Sequence, residues 1–510
     1  MRRIDRKDRR GNFSCVITKM EMKNKTEAGN NANGNENNLD YQKLGFKCGL
    51  EIHQQLDTKK LFCNCSTSQS SSTKPDKIVM RRLRVSAGET GKVDIAAEHE
   101  QKKRKYFLYH YYEDTCCLTD LDEEPPMPMN KNALETAVKM AMLLKMDIVD
   151  EVQTMRKIVI DGSNTTGFQR TSLIAINGKI ETSQGDVSVQ TLCLEEESAQ
   201  VIERNEDFDV YNLSRLGIPL IEIATGSEIK NPEHAMECAE KIGMILRSAG
   251  GIKRGIGTIR QDVNLSITGA PRVEIKGFQE LKSIPKVIKY EIRRQLSALS
   301  KNEKLLGEVR KAEPDFTTSF LRPMPGADRM YPETDISPVK LEALGEESLP
   351  ELIEDKAKRY SSEYGMSNEL ALLAAKKGID IDSYKANYLN VKPIFIAEYF
   401  LTMPKEIKKR NNIEIAPETY EQDVLGRLNS GEISKEAVME ILVELGKGNK
   451  IDYSKYKSVS GGDLEKEIIE IVKKNPGKTQ GALMGMVMAK FRGKADGKIV
   501  SQLLSKHMKK

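Results

Sequence analysis

The chain has 510 residues, which exceeds one typical domain and predicts about three or four. Hydrophobic residues make up 39% and charged residues 30%, a composition that excludes a wholly disordered chain. The net charge of +5 balances 80 basic against 75 acidic residues, so any nucleic-acid signal must be local. Eight cysteines, no secretory signal and no apolar run of the ~18–20 residues that span a bilayer lead us to expect a cytoplasmic protein with reduced thiols.

The first part of the chain mixes strand and helix patterns. Residues 1–42 are Asn-rich and charged without hydrophobic periodicity, and we expect a disordered tail there. Over 43–340 strands outnumber helices without strict alternation, which favours an α+β domain with a large mixed sheet over a doubly wound sheet. The predicted strands are 46–53, 158–162, 172–178, 187–195, 217–225, 262–267 and 272–277, and the predicted helices are 132–147, 231–250 and 283–302.

The second part of the chain is helical. Runs that end at or near glycines predict an all-helical domain over 341–455, and three further helices predict a small tail domain over 456–510. Residues 471–510 hold ten Lys or Arg and one acid. Such a basic surface attracts phosphates, although a solvated helix face is the commoner explanation of a charge run.

Familiar nucleotide-binding and hydrolase motifs are absent. Residues 476–479 superficially resemble a P-loop, but Val472 occupies the position of its required first glycine and the context is helical. We therefore reject a P-loop.

Acidic residues stand in several otherwise apolar strands. Glu51 and His53 project from one face of their strand because strand side chains alternate. A carboxylate there is unfavourable unless it is paired or binds a metal, and Mg²⁺ bridging nucleotide phosphates would satisfy it. Ion pairs are the alternative, which the residues alone slightly favour. The other acids are Glu195, Glu196, Glu197, Glu222, Asp262 and Glu274, and the nearby cations are Arg260, Arg272 and Lys276.

Four cysteines form a possible second site. Cys63, Cys65, Cys116 and Cys117 could bind Zn²⁺ as four thiolates. Adjacent cysteines rarely both ligate one tetrahedral ion, so four buried small hydrophobic residues are the simpler interpretation.

Long motifs resemble the GatB/GatE family of tRNA-dependent amidotransferase subunits. The run CGLEIHQQLDTKKLFCNCS (48–66) is similar to the opening of that family, and the resemblance continues over 45–510. DGSNTTGFQR and TLCLEEES favour the archaeal E-type branch over the bacterial and organellar B-type branch. The later similar segments are 113–130, 160–175, 189–200, 211–229, 259–267, 272–281, 321–336 and 481–504.

The resemblance implies a catalytic cradle domain, a helical domain and a tail that grips tRNA. It implies a ligase that uses ATP to phosphorylate the γ-carboxylate of Glu-tRNA(Gln) and lets ammonia convert it to Gln-tRNA(Gln). Against that background the metal interpretation of the strand acids prevails. The implied catalytic residues are Glu51, His53, Glu196, Asp262 and Glu274, of which Glu51, His53, Glu196 and Glu274 would hold Mg²⁺. Phosphate contacts are expected from Arg170, Arg260 and Lys276, and tRNA contacts from Lys490, Arg492, Lys494, Lys498 and Lys506.

Two departures from the family pattern stand out. The E-type branch usually carries an inserted domain similar to one in bacterial aspartyl-tRNA synthetases, but here fewer than twenty residues join helix 283–302 to the LRPMPG motif. Cys116 falls where the family has threonine, so only Cys117 matches and zinc is less expected.

The resemblance also implies a partner. The chain has no recognisable glutaminase or asparaginase nucleophile motif, so an asparaginase-like D-type partner would supply ammonia in a two-plus-two complex. A tRNA-binding or assembly protein without catalysis, and a bacterial B-type enzyme that also acts on Asp-tRNA(Asn), are the alternative functions.

Overall fold

The computed structural model describes residues 39–68, 72–88, 91–278, 280–326, 329–341, 349–456, 461–491 and 497–508. An eleven-stranded sheet with helices on one face is followed by a helical region. The predicted α+β class with a large mixed sheet is therefore confirmed. The predicted disordered tail lies almost wholly outside the described residues.

The strands form three sheets. The large sheet has the order β15-β14-β13-β12-β1-β11-β8-β7-β6-β16, with β4 beside β7; β2-β3-β10-β9 and β17-β5 form the smaller sheets. The strands are β1 (Lys47–Gln55), β2 (Lys77–Arg81), β3 (Tyr106–Tyr111), β4 (Asp147–Ile148), β5 (Glu151–Val152), β6 (Thr154–Ile158), β7 (Phe168–Thr182), β8 (Gly185–Glu196), β9 (Gln200–Arg204), β10 (Phe208–Asn212), β11 (Pro219–Thr225), β12 (Ile259–Ser266), β13 (Val273–Lys276), β14 (Glu308–Ala312), β15 (Thr318–Pro323), β16 (Met330–Pro332) and β17 (Val339–Lys340).

The helices fall into three groups along the chain. The α-helices are α1 (Ile95–Lys102), α2 (Lys131–Leu143), α3 (Pro232–Ala249), α4 (Ile284–Ser300), α5 (Ile353–Tyr364), α6 (Asn368–Lys377), α7 (Ile381–Asn387), α8 (Pro393–Leu401), α9 (Met403–Asn411), α10 (Glu421–Ser430), α11 (Val438–Gly446), α12 (Gly461–Lys474), α13 (Gln480–Phe491) and α14 (Gly497–Met508). Single 3₁₀ turns occur at Leu118–Leu121, Leu213–Arg215, Leu281–Ser283, Pro417–Tyr420, Lys435–Ala437 and Tyr453–Tyr456. No helix among these described residues is long and apolar enough to cross a membrane.

The two faces of the large sheet differ in chemistry. Leu50 and Ile52 of β1 lie in the main core, which the apolar faces of α2, α3 and α4 complete. Each fully buried Leu or Ile stabilises the fold by about 1.5–3 kcal/mol. Glu51 and His53 alternate with these two residues along β1. Their side chains therefore project from the other face of the sheet, away from α2, α3 and α4.

Helix α3 follows its sequence signals closely. The side chain of Asn231 accepts a hydrogen bond from the His234 N–H at 2.8 Å, and Pro232 occupies the first turn. The helix ends at Gly250, whose φ of 73° favours glycine. The prediction of a helix over 231–250 is confirmed within one residue at each end.

The four-stranded sheet holds a loop against the end of the large sheet. The Tyr109 hydroxyl donates to the Gly162 carbonyl at 2.8 Å, and the Tyr211 hydroxyl donates to the Asp161 carbonyl at 2.7 Å. The predicted strand 158–162 is wrong beyond its first residue, because β6 spans Thr154–Ile158 and the residues that follow form this loop.

The helical region and the tail have separate small cores. Helices α5 to α11 enclose one cluster of buried residues, and α12 to α14 enclose another around Leu464, Ile468 and Leu483. Helices α8 and α9 meet at Thr402 instead of forming one helix, because Pro404 has no N–H to continue the hydrogen-bond ladder. The domain boundaries at 43, 341 and 456 stay predictions.

The link between helix α4 and the LRPMPG motif is short. Helix α4 ends at Ser300, β14 begins at Glu308, and β15 already contains Leu321. A β-hairpin of β14 and β15 therefore follows α4 directly, and no inserted domain lies between them. The sequence had predicted that this link is too short for one.

Candidate functional site

Acidic side chains from four strands converge on the exposed face of β1. The ligand atoms of Glu51, His53 and Asp262 all lie within 4.8 Å of one another, as do those of His53, Glu195 and Glu222. The register explains this, because Glu51 lies opposite Asp262 and His53 lies opposite Glu222. We call these five residues the His53 cluster.

His53 joins the two halves of the cluster. Its Nε2 lies 3.2 Å from Glu222 Oε2, while its buried Nδ1 finds no hydrogen-bond partner among the described residues. Burial acts to lower the pKa of His53, but the hydrogen bond and charge of Glu222 outweigh it and raise that pKa. A buried ring nitrogen without a partner is rare, and a metal ion is one group that would satisfy it.

Lys276 lies at one side of the cluster. Its ammonium nitrogen is 2.6 Å from Asp262 Oδ2 and 2.5 Å from Glu274 Oε1. Burial raises the pKa of Glu51, and the negative charge of Glu274 raises it further. Glu274 thus neighbours the cluster and pairs with Lys276, but it does not belong to the close groups.

Lys157 lies at the other side of the cluster. Its ammonium nitrogen is 2.5 Å from Glu195 Oε1 and 3.6 Å from Glu222 Oε2. The Thr171 hydroxyl and the Gln169 amide each donate to Glu195 at 2.9 Å. Counting Glu274, five carboxylates face the ammonium groups of Lys157 and Lys276, so the face keeps an excess of negative charge.

Glu196 does not join the His53 cluster, although the sequence placed it among the metal ligands. Its carboxylate lies on the other face of β8, 3.5 Å from Arg170 Nη1. Arg170 in turn donates through Nε to Glu333 at 2.7 Å. The physical reason is strand alternation: when Glu195 faces His53, the next residue must face away. Glu195, and not Glu196, therefore faces His53.

Glu196 faces a small cavity instead. The cavity has a volume of about 10 Å³ and is bounded by Lys60, Asp120, Asn164 and Arg170 as well as Glu196. This volume holds roughly one water-sized molecule. The amide nitrogen of Asn164 is buried and has no partner among the described residues.

The expected phosphate contacts divide between the two faces. Lys276 and Arg260 lie on the face of the His53 cluster, and Arg260 Nη2 is 3.0 Å from Glu197 Oε1. The side chain of Arg170 is only 5% exposed and is held by Glu333 on the other face. Arg170 therefore lies on the face away from the His53 cluster, and its expected contact with a phosphate stays a prediction.

The expected tRNA contacts in the tail are only partly described. Lys490 pairs with Glu467, and Lys506 lies 2.8 Å from Glu465. Arg492, Lys494 and the side chain of Lys498 lie outside the described residues.

Two pockets flank the cluster along β1. One has a volume of about 310 Å³ and lies beyond Glu51; its lining includes Lys47, Gly49, Thr225, Gly226 and Arg272. We call it the Gly49 pocket. The other has a volume of about 570 Å³ and lies beyond His53; its lining includes Gln55, Asp57, Arg215, Lys253 and Arg254. We call it the Lys253 cleft.

A second possible metal site lies behind the sheet. The sulfur atoms of Cys63, Cys65 and Cys117 and a carboxylate oxygen of Asp120 lie within 4.8 Å of one another. Hydrogen bonds from the thiols of Cys63 and Cys65 lower the pKa of Cys117. Asp120 also pairs with Lys60 at 3.0 Å.

Cys116 is not part of this group, which corrects the predicted set of four thiolates. Its side chain is buried in the small core that contains Tyr111 and Tyr112. Consecutive residues at a turn point in different directions, so Cys117 reaches the site and Cys116 does not.

The sequence reasoning missed three residues of the site. Lys157 was not considered, and Glu195 and Glu222 were noted only as strand acids. The available signal was a lysine and two acids in apolar strands, each of which needs a partner when buried.

Comparisons with known proteins cover most of the chain. The GatB/GatE catalytic domain matches residues 46–345, and the GatB domain matches residues 382–508. Curated relatives named as the E-type component of glutamyl-tRNA(Gln) amidotransferase include proteins of Methanocaldococcus jannaschii and Archaeoglobus fulgidus, both 36% identical, and of Saccharolobus solfataricus, 34% identical. Each alignment covers 92% of this chain and 99% of the relative.

The relatives are longer than this chain. The alignment with the Methanocaldococcus protein runs over 627 positions, which exceeds the 510 residues here, so that relative carries residues that this chain lacks. This agrees with the short link after α4. The extent of the matches leaves one conclusion about ancestry: the chain belongs to the GatB/GatE family.

Proposed function

We propose that the chain is the ATP-dependent subunit of a cytoplasmic glutamyl-tRNA(Gln) amidotransferase, a carbon–nitrogen ligase. It would phosphorylate the glutamate attached to tRNA(Gln), and ammonia would then convert the acyl phosphate to glutamine. The observation that carries the proposal is a metal-ligand cluster lying between two pockets on one face of one strand. The names of the curated relatives support the same reaction.

The residues of the His53 cluster fit Mg²⁺. Carboxylate oxygens are its preferred protein ligands, and the unpartnered Nδ1 of His53 and the excess negative charge both favour a cation. Glu51, His53 and Asp262 would hold one ion. Glu195 and Glu222 would orient a second ion or a bound water. When bound, Mg²⁺ neutralises charge on the phosphates as the phosphoryl group moves.

The Gly49 pocket is the proposed site of ATP. Its volume lies at the lower end of the range of small-molecule sites. Lys47 and Arg272 provide positive charge at its wall, and Lys276 lies beside Asp262 of the neighbouring cluster. Strands β1 and β11 come close together there, since a Cβ added to Gly49 would lie 2.9 Å from the Gly226 carbonyl oxygen.

The proposed reaction has two steps. The γ-phosphoryl group leaves ADP and bonds to an oxygen of the glutamate γ-carboxylate, which turns a poor leaving group into a good one. Ammonia then attacks the carbonyl carbon, phosphate leaves, and the nitrogen loses a proton to give the amide. Lys276 and Lys157 would orient the carboxylates and balance charge on either side of the phosphoryl path. The acyl phosphate must be kept from water.

Ammonia is proposed to come from a partner. The resemblance points to an asparaginase-like D-type protein and a two-plus-two complex. The partner is not needed to test this chain, because an ammonium salt can replace it in the amidation step.

The basic tail is proposed to hold tRNA. Removing the residues after Tyr456 deletes α12 to α14, whose core is separate from that of α5 to α11. We expect weaker binding of tRNA in a filter or fluorescence assay, with tRNA-independent ATP hydrolysis unchanged. Equal tRNA affinity in the truncated protein would refute the grip role.

The central experiment follows phosphate transfer without any amide donor. The full chain is mixed with Glu-tRNA(Gln), Mg²⁺ and γ-³²P-labelled ATP, and ADP and labelled tRNA are measured before and after ammonium chloride is added. We expect ADP to depend on Glu-tRNA(Gln), and Gln-tRNA(Gln) to appear with ammonium. No ADP and no label would favour a tRNA-binding protein without catalysis. Equal turnover of Asp-tRNA(Asn) would favour the bacterial-type activity.

A further inference from the structure

Two neighbouring strands hold the carboxylate of Glu195 in place. Lys157 of β6 lies opposite Gln169 of β7, and Thr171 of β7 lies opposite Glu195 of β8. The Lys157 ammonium and the Thr171 hydroxyl bond to Oε1 at 2.5 and 2.9 Å, and Gln169 Nε2 donates to Oε2 at 2.9 Å. All four residues are buried. The carboxylate is therefore fixed through both of its oxygens.

The amide of Gln169 has only one orientation that suits its partners. Its Nε2 also donates to the Glu196 carbonyl at 2.7 Å, in addition to the bond to Glu195. Both partners are acceptors, so the amide must present its NH2 group to them and not its oxygen. Glu196 is the last residue of β8. Gln169 thus ties the side chain of Glu195 to the end of the strand that carries it, and keeps that side chain on the face of His53.

One oxygen of Glu195 keeps an open acceptor position. A carboxylate offers about four such positions, two on each oxygen. The two donors to Oε1 fill its positions, whereas Gln169 is the only donor that reaches Oε2 within the described ranges of the chain. Ligand atoms of His53 and Glu222 lie within 4.8 Å of a carboxylate oxygen of Glu195. The open position therefore belongs to a carboxylate that has two further possible metal ligands beside it.

Glu291 of α4 has the same kinds of donors, but its acceptor positions are occupied. It is fully buried, and it accepts from Gln295 at 3.1 Å and from Thr318 at 2.7 Å. The guanidinium of Arg294 bonds to both of its oxygens at 2.7 to 3.1 Å. Each oxygen of Glu291 thus accepts at least two hydrogen bonds. This glutamate therefore holds α4 against the hairpin of β14 and β15, and it provides a comparison for Glu195.

We infer that Gln169 and Thr171 are positioning residues, which hold the Glu195 carboxylate so that the open acceptor position of Oε2 binds a divalent cation. Partners of this kind raise the affinity of a metal site, because the ligand side chain loses little rotational freedom when the ion binds. Carboxylate oxygens suit Mg²⁺ and Mn²⁺. The inference rests on the proposed function for the role of the ion, but binding of the ion can be measured without any reaction.

The test measures Mn²⁺ binding by the full chain, without ATP or tRNA, from the electron paramagnetic resonance signal of the free ion. In Gln169→Leu the dissociation constant of Mn²⁺ should rise at least about tenfold, because leucine keeps much of the bulk of the side chain and donates no hydrogen bond. Thr171→Val should have a similar effect. Thr171→Ser keeps the hydroxyl, and its dissociation constant should stay within about twofold of wild type.

The matched controls are Gln295→Leu and Thr318→Val. Each removes the corresponding donor from Glu291, the buried glutamate on α4. A general loss of stability would affect these controls as well as Gln169→Leu, and the thermal midpoint of every variant is measured in parallel. The dissociation constant of Mn²⁺ in both controls should stay within about twofold of wild type.

Wild-type Mn²⁺ affinity in folded Gln169→Leu, or in Thr171→Val if Gln169→Leu does not fold, would overturn the inference. An equal loss of affinity in Gln295→Leu would also overturn it, because the effect would then not depend on Glu195. A wild-type chain that binds no Mn²⁺ would do the same. The proposed function is tested separately: if wild type binds Mn²⁺ and Gln169→Leu weakens that binding, but wild type forms no ADP with Glu-tRNA(Gln), the proposed function is refuted and the positioning role stands.

Discussion

Glu195 and Glu196 are adjacent on β8, yet they lie on opposite faces of the sheet, so replacing each by glutamine separates their roles. The carboxylate of Glu195 is 1% exposed, and it pairs with Lys157 and accepts from Thr171 and Gln169. Glutamine keeps the size of the side chain and removes its charge. The pair of variants therefore tests the charge at two positions one residue apart.

The structure gives the expected sizes of the two effects. In Glu195→Gln, Lys157 keeps Glu222 at 3.6 Å, so the buried ammonium stays paired and the unfolding free energy falls by only about 1–3 kcal/mol. Loss of a charge at the proposed metal site should lower the rate of ADP formation at least ~100-fold, which corresponds to about 2.7 kcal/mol. Glu196→Gln weakens the long 3.5 Å ion pair with Arg170 and the 3.2 Å hydrogen bond from the Arg170 backbone N–H, whereas the Arg170 guanidinium keeps Glu333 at 2.7 Å. ADP formation should then stay within about tenfold of wild type.

The assay is Glu-tRNA(Gln)-dependent ADP release at several Mg²⁺ concentrations, with the thermal midpoint of each variant measured in parallel. Higher Mg²⁺ should partly restore Glu195→Gln, because a weakened metal site is filled by mass action. Wild-type turnover by Glu195→Gln, or an equal loss in Glu196→Gln, would show that the assignment of ligands by strand face is wrong.

Three further predictions concern other parts of the chain. The carboxylate of Glu333 is buried between two arginines, which lower its pKa to about 2, so its stabilisation is complete above its unfolded pKa and is lost as the pH falls through about 2. Glu333→Gln should therefore lower the unfolding free energy by about 3 kcal/mol at pH 7. Denaturant titrations should show the difference in unfolding free energy between wild type and variant becoming smaller as the pH falls from about 4.5 to 2. A difference that does not change with pH would contradict the prediction. Cys117→Ser should abolish zinc binding by the purified chain, measured by elemental analysis, and lower its thermal midpoint; if the wild-type chain binds no zinc at equimolar metal, the thiol group is not a zinc site. Gly49→Ala should raise the KM for ATP at least about tenfold because the added methyl group meets the Gly226 carbonyl, while Gly426→Ala, where nothing lies within 4 Å, should not.

Much of the fold could be predicted because local patterns and packing agree. The alternation of Leu50, Glu51, Ile52 and His53 already separated a core face from a polar face. The Asn231 cap predicted the start of α3, and the structure has the same cap. Where local patterns and tertiary packing favour the same structure, the sequence is sufficient to predict the element.

The membership of the site could not be predicted as well. Glu195 and Glu196 end β8 and Glu197 follows, and which of the three faces His53 depends on the pairing of Glu195 with Thr171 and Leu220. A shift of one residue in register would move Glu196 to that face instead. Single-sequence patterns do not contain that register. Cys116 was misplaced for a similar reason, since spacing alone does not tell which of two adjacent side chains turns toward a site.

The excess negative charge at the His53 cluster makes the stability of the folded chain depend on ligand binding. Five carboxylates outnumber the two ammonium groups on a largely buried face, so the carboxylates repel one another. Burial raises the pKa of Glu51, and the negative charge of Glu274 raises it further. The fold tolerates the repulsion because the opposite face of the same strands carries the main apolar core. A cation–nucleotide complex that removes the repulsion must bind the folded chain in preference to the unfolded one, and at a hundred times its dissociation constant it adds about 2.7 kcal/mol of stability. The core of the large sheet thus sustains an arrangement of charge that a bound cation would stabilise further.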